Sequence, residues 1–94
     1  MKIGVIIRKE LKENLSWADL GKIEHLFTIS NKDYWLKHKN GKPMTLSDFA
    51  EIFGVNERSA QRTINNAIKA GIMLSANVEG VKWYLFDKKA IEKW

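Results

Sequence analysis

The clearest pattern in the chain lies between residues 45 and 71, where apolar residues recur at three- and four-residue steps, the spacing of one face of an α-helix. Leu46, Phe49, Ala50 and Phe53 form a short apolar stripe. Thr45, with Asp48 three residues on, opens it as a capping box, and Gly54 closes it. Asn56 is the N-cap of a longer helix that turns Ala60, Ile64, Ala67 and Ile68 inward and runs to about Ala70, where Gly71 stops it. Only Gly54-Val55-Asn56 separates the two helices, so they must cross. Two β-type runs follow, Ile72–Ala76 and Val81–Phe86, joined by Asn77-Val78-Glu79-Gly80 as a hairpin. Asp87 is expected to cap a last helical turn or two ending in Ile91 and Trp94.

Upstream, Ile3–Ile7 is short and β-branched and reads as a strand. From Arg8 to about Ser30, Leu11, Leu15, Leu20, Ile23, Leu26 and Phe27 keep helical spacing. Ser16 with Asp19 has the form of a capping box, which places a joint between two helices near Leu15. Residues 31–44 are polar, with turn chemistry at Asn40-Gly41 and Pro43. Trp17 and Trp83 are expected in the core. Trp35, among lysines, fits either the core or a base-stacking platform.

Ninety-four residues make one domain, and 16 basic against 11 acidic residues give a net charge of +5. That balance favours a polyanionic partner, with nucleic acid ahead of a membrane surface. Lys32, Lys37, Lys39 and Lys42 are opposed only by Asp33, and the cluster reads equally as a solvated loop or a phosphate-contacting one. The absence of cysteine excludes disulfides, a thiolate nucleophile and Cys-based metal sites. No apolar run is long enough to span a membrane and the N-terminus lacks signal-peptide form, so a cytoplasmic protein is expected.

Ala50, Gly54, Ala60 and Ile64 meet the helix-turn-helix requirement: a small residue, a glycine four later, then apolar residues ten and fourteen after the first. A hairpin directly after the second helix makes the winged form. The outward positions of that helix are Arg58, Ser59, Gln61, Arg62, Asn65 and Lys69, with no acid among them. Arginine pairs with guanine O6/N7 and glutamine or asparagine with adenine N6/N7, so this face suits base reading. Lys42, Thr45 and Ser47 stand at the start of the preceding helix, where amides, hydroxyls and the dipole favour a phosphate. Among the hairpin residues Lys82 is a candidate backbone contact, while Glu79 at the tip speaks against deep minor-groove insertion.

The segment MTLSDFAEIFGVNERSAQRTINNAIKAGIM resembles the helix-turn-helix core of the winged-helix superfamily, most closely at VNERSAQR and KAGI. From NGKPMT onward, with the N-terminal strand and the helix beginning RKEL, the chain is similar to small winged-helix proteins of bacterial plasmids and phages. The superfamily resemblance covers about residues 16–86. It implies an α+β fold over residues 1–94: a three-helix core, a C-terminal β-hairpin wing, an extra N-terminal strand and a short C-terminal helix. Leu46–Phe53 would be the positioning helix and Glu57–Ala70 the recognition helix, with Arg58, Ser59, Gln61, Arg62 and Asn65 facing the groove. Asn56, Lys69, Thr45, Ser47, Lys42 and Lys82 complete the expected DNA-binding set.

The expected function is sequence-specific binding of double-stranded DNA, as a transcription regulator, a replication factor or a partition factor. The alternative is an adaptor or inhibitor on the same fold, without DNA binding. A homodimer is expected, since one recognition helix reads too few base pairs, with Ile3–Ile7, Ile91 and Trp94 as its apolar surfaces. His25 and His38 lack partners at ligand spacing, so neither a metal nor another cofactor is expected. No catalytic arrangement stands out, and neither enzyme activity nor a small-molecule ligand is expected. Asp19, Asp48 and Asp87 are read as caps.

Overall fold

The computed structural model describes residues 5–7, 15–30 and 34–93. Its architecture is α+β, with three helices and an antiparallel hairpin. Strand β1 (Val5–Ile7) comes first, then helices α1 (Trp17–Thr28), α2 (Leu46–Phe53) and α3 (Glu57–Lys69). Strands β2 (Met73–Val78) and β3 (Val81–Phe86) form the hairpin, and a 3₁₀ turn at Lys88–Ala90 leads into β4 (Ile91–Lys93). The reading of a helix over Arg8–Asn14 lies outside the described residues.

Each helix begins where a side chain accepts an otherwise unpartnered backbone N–H. Ser16 accepts from Asp19 N, Thr45 from Asp48 N, and Asn56 from Ser59 N. At Thr45 the capping box is complete, with the Asp48 carboxylate accepting from Thr45 N at 2.8 Å. At Ser16 only half of the box forms, because the Asp19 carboxylate turns to another helix. Gly54 ends α2 in the left-handed region, φ 71° and ψ 33°, which reverses the chain within three residues and lets α3 cross α2.

The core gathers the inward stripes of all three helices beneath the hairpin. Ile23 and Leu26 of α1, Phe49 of α2, and Ala60, Ile64 and Ala67 of α3 are buried with Leu36, Ile72, Met73 and Phe86. Phe49 meets Tyr84 edge-on at 5.3 Å, and Phe27 meets Phe86 at 5.1 Å, the tilted geometry that aromatic rings prefer. Alanine at positions 50, 60 and 67 lets the helix backbones approach.

The hairpin turn is tighter than the sequence pattern suggests. Glu79 and Gly80 alone make it, at φ 51° and 79°, so both central residues are left-handed as a type I′ turn requires. Strand β2 therefore begins at Met73 rather than Ile72 and extends through Val78. The segment before α2 adds to the far edge of β3: Leu36 N–H donates to Tyr84 O at 2.9 Å and Phe86 N–H to Tyr34 O at 2.9 Å, with Trp35 bridged to Leu85.

Pairing in the hairpin assigns its two faces. Met73, Ser75 and Asn77 share the core side with Phe86, Tyr84 and Lys82, whereas Leu74, Ala76 and Val78 share the outer side with Leu85, Trp83 and Val81. Trp83 therefore faces away from the core, against the sequence expectation, because alternation gives the inward places to Tyr84 and Phe86. Its ring meets Trp35 at 5.6 Å on that outer side.

Two further expectations need correction. Trp17 is 89% exposed rather than core. It occupies the first helical position, where a side chain leans past the N-terminal end of the helix, and burial in α1 starts one turn later at Leu20. Ile91–Lys93 is a strand and not the end of a helix. Asp87 caps only the 3₁₀ turn, accepting from Lys89 N at 3.0 Å, and β4 then pairs antiparallel with β1, Ile7 opposite Ile91. Ile91 is 8% exposed and part of the core. Of the surfaces foreseen for a dimer, Ile91 is thus buried within the chain and the Val5–Ile7 backbone is paired with β4, while Ile3, Gly4 and Trp94 lie outside the described residues.

Candidate nucleic-acid interface

The polar face of α3 is one continuous surface. Asn56, Arg58, Ser59, Gln61, Arg62, Asn65 and Lys69 line a shallow open depression together with Asn66. All eight belong to α3 or its cap, and no acid lines the depression. Arg58, Gln61, Arg62, Asn65 and Lys69 are exposed, while Ser59 and Asn66 are half-buried. The helix phase explains this. Ala60, Thr63, Ile64 and Ala67 occupy the buried side, so residues one to two places from them in sequence fall on the opposite one. Glu57 sits in the first turn, where the N-terminal dipole favours a negative charge.

Asp19 joins this helix to α1, a connection the sequence did not reveal. Its carboxylate accepts from Thr63 Oγ1 at 3.0 Å and from Asn66 Nδ2 at 3.1 Å. Desolvation at this contact raises the carboxyl pKa, but hydrogen bonds from Asn66, Thr63 and Ser16, with the Lys22 charge, outweigh it and hold the pKa below the ordinary 3.8. Thr63 is the buried polar residue of α3, and its hydroxyl is satisfied by donating to the Asp19 carboxylate. Asn66 completes the depression and was missed. Its spacing, four residues after Arg62, is the signal that could have found it.

The lysine loop is fixed against the start of α2. Lys37 bridges Pro43, His38 N–H donates to Lys42 O at 2.8 Å, and Lys42 N–H donates to Asn40 Oδ1 at 3.0 Å. His38 Nε2 lies 3.0 Å from Asp48 Oδ2, tying the loop to the capping box. Lys39 and Lys42 are exposed on this reverse turn. Thr45 hydroxyl and amide both donate to Asp48, so these two expected phosphate donors are already engaged, while Ser47 is exposed. The backbone bond from Thr45, together with His38, holds the Asp48 carboxyl pKa low against a smaller desolvation effect.

On the hairpin, Lys82 stands opposite Asn77 near the turn, with its ammonium 5.3 Å from the centroid of the Tyr84 ring. Arg58, Ser59, Gln61, Arg62, Asn65 and Lys69 are thus brought together. Lys42, Thr45 and Ser47 form a second group at the start of α2, and Lys82 belongs to the hairpin.

Among the described residues no three His, Cys, Asp or Glu side chains are placed to hold a metal ion, and no helix is long and apolar enough to cross a membrane. Comparison with protein-family models, curated proteins and solved structures gives no match.

Proposed function

We propose that this chain is a winged helix-turn-helix protein that binds double-stranded DNA in a sequence-specific way, laying α3 in the major groove. The observation that carries this reading is the acid-free face of α3: two arginines, a lysine and four amide side chains share one depression on an exposed helix. Arginine and amide side chains make the bidentate contacts that separate base pairs in the major groove. A solvated helix of no special purpose pairs Glu with Lys at i,i+4, and α3 does not. The tight turn at Gly54 and the hairpin directly after α3 support the same architecture, with α2 as the positioning helix.

In this reading α2 and its lysine loop meet the DNA backbone and fix the register, while Arg58, Gln61, Arg62 and Asn65 read bases. Lys82 adds a phosphate contact from the hairpin, whose Glu79 tip stays clear of the minor groove. The protein acts in the cytoplasm on duplex DNA as a regulator, a replication factor or a partition factor. Selection of binding sites from a random duplex library tests the proposal. The expected result is enrichment of one short motif. Recovery of unenriched sequence after repeated rounds would overturn it. Positions of that motif beside promoters, or in arrays at an origin or centromere, then separate the three roles.

A further inference from the structure

Asn66 lines the α3 depression, yet its side chain is held from outside α3. It stands one helical turn after Arg62 and next to Asn65, half-buried where those two are exposed. Its Nδ2 donates to Asp19 Oδ2 at 3.1 Å, in the first turn of α1. The other oxygen of that carboxylate accepts from Thr63 Oγ1 at 3.0 Å, so both oxygens are engaged on α3.

Chemistry decides which end of the Asn66 amide faces Asp19. An ionised carboxylate only accepts hydrogen bonds, so the amide must turn its NH2 group toward it and its carbonyl elsewhere. Desolvation works against ionisation of Asp19, but the bonds from Asn66, Thr63 and Ser16, with the Lys22 charge, keep its pKa low. The carboxylate therefore persists at neutral pH. A flip of Asn66 would set its Oδ1 against a carboxylate oxygen, two acceptors with no proton between them.

We propose that Asn66 reads an exocyclic amino group on a base, and that Asp19 is the positioning residue that sets this preference. In the major groove adenine N6 and cytosine N4 present such a donor, whereas thymine O4 and guanine O6 are acceptors. Oδ1 of Asn66 accepts from the first pair and meets the second as a like group. A phosphate is the poorer occupant, because Asp19 takes a donor proton of Asn66 and sets a negative charge beside it. This inference rests on the DNA reading and names the bases that one part of it selects.

Selection from a random duplex library, run in parallel for wild type and three variants, is the test. Wild type is expected to require adenine or cytosine at one motif position, and the motif itself tells which. Asn66→Ala is expected to lose about tenfold in discrimination there while the other positions keep theirs. Asp19→Asn is expected to relax the same position, since an amide donates as well as accepts and lets Asn66 flip. Thr63→Val removes the other bond to the Asp19 carboxylate and leaves that from Asn66, so it should lower stability in urea yet keep the motif.

Circular dichroism checks that each variant is folded. Asn66→Ala, a favourable helix residue at a half-buried place, carries the test by itself if Asp19→Asn does not fold. An Asn66→Ala protein that selects the wild-type motif unchanged, or weakens on all duplexes equally, overturns the inference and leaves the DNA reading standing. If Thr63→Val relaxes the position as far as Asp19→Asn does, the positioning role of Asp19 is overturned. A wild type that enriches no motif overturns the DNA reading, and this inference falls with it.

Discussion

Asp19 shows how one side chain can serve a helix other than its own. Spacing alone assigns it to the Ser16 cap, and its amide does lie there, yet its carboxylate holds Thr63 and Asn66 on α3. Asp19→Ala leaves the Thr63 hydroxyl without that partner and is expected to lower unfolding free energy by about 1–2 kcal/mol, measured by urea denaturation at pH 7. The pH dependence has a definite sign. A carboxylate whose folded pKa is lowered adds stability above its unfolded pKa and loses it as pH falls through the folded value. Both Asp19 and Asp48 are lowered, so stability is expected to fall as pH drops below the ordinary 3.8. Asp19→Asn should flatten part of that fall, and equal slopes for both proteins would contradict the bridge.

The helical elements were legible because caps and stripes are local. Thr45, Asn56 and Gly54 each act within four residues, and the observed α2 and α3 begin where those signals place them. What escaped the sequence is what depends on distant partners. Ile91 reads equally as helix or strand until β1 is alongside it, and the side of the hairpin that Trp83 takes follows from its register. Asp19 and Asn66 stand 47 residues apart and no pattern links them. Gly54→Ala tests the turn, since a left-handed alanine costs about 1–2 kcal/mol although there is room for its methyl group. The lysine loop has its own test. If Lys42 neutralises a phosphate, Lys42→Ala should weaken binding to all duplexes alike and reduce the log–log salt slope by about one unit. An unchanged slope would make the loop a solvated one.

At the scale of the whole molecule the chain divides its surface by chemistry. One helix face is cationic and amide-rich, the loop before α2 carries lysines, and the hairpin turns an uncharged face outward. Three helices and a hairpin on one core hold these surfaces in fixed relation, which recognition of a rigid duplex would need. The central claim is that α3 reads bases and does more than touch the backbone. Arg62 decides it, being exposed in the depression and free of any acid on its own helix face. The measurement is fluorescence anisotropy of wild type and Arg62→Ala on the selected duplex and on a scrambled one, at fixed salt. The account predicts a loss of about 1–3 kcal/mol on the selected duplex and a smaller loss on the scrambled one. Equal losses on both duplexes, or no binding to either by the wild type, would contradict it.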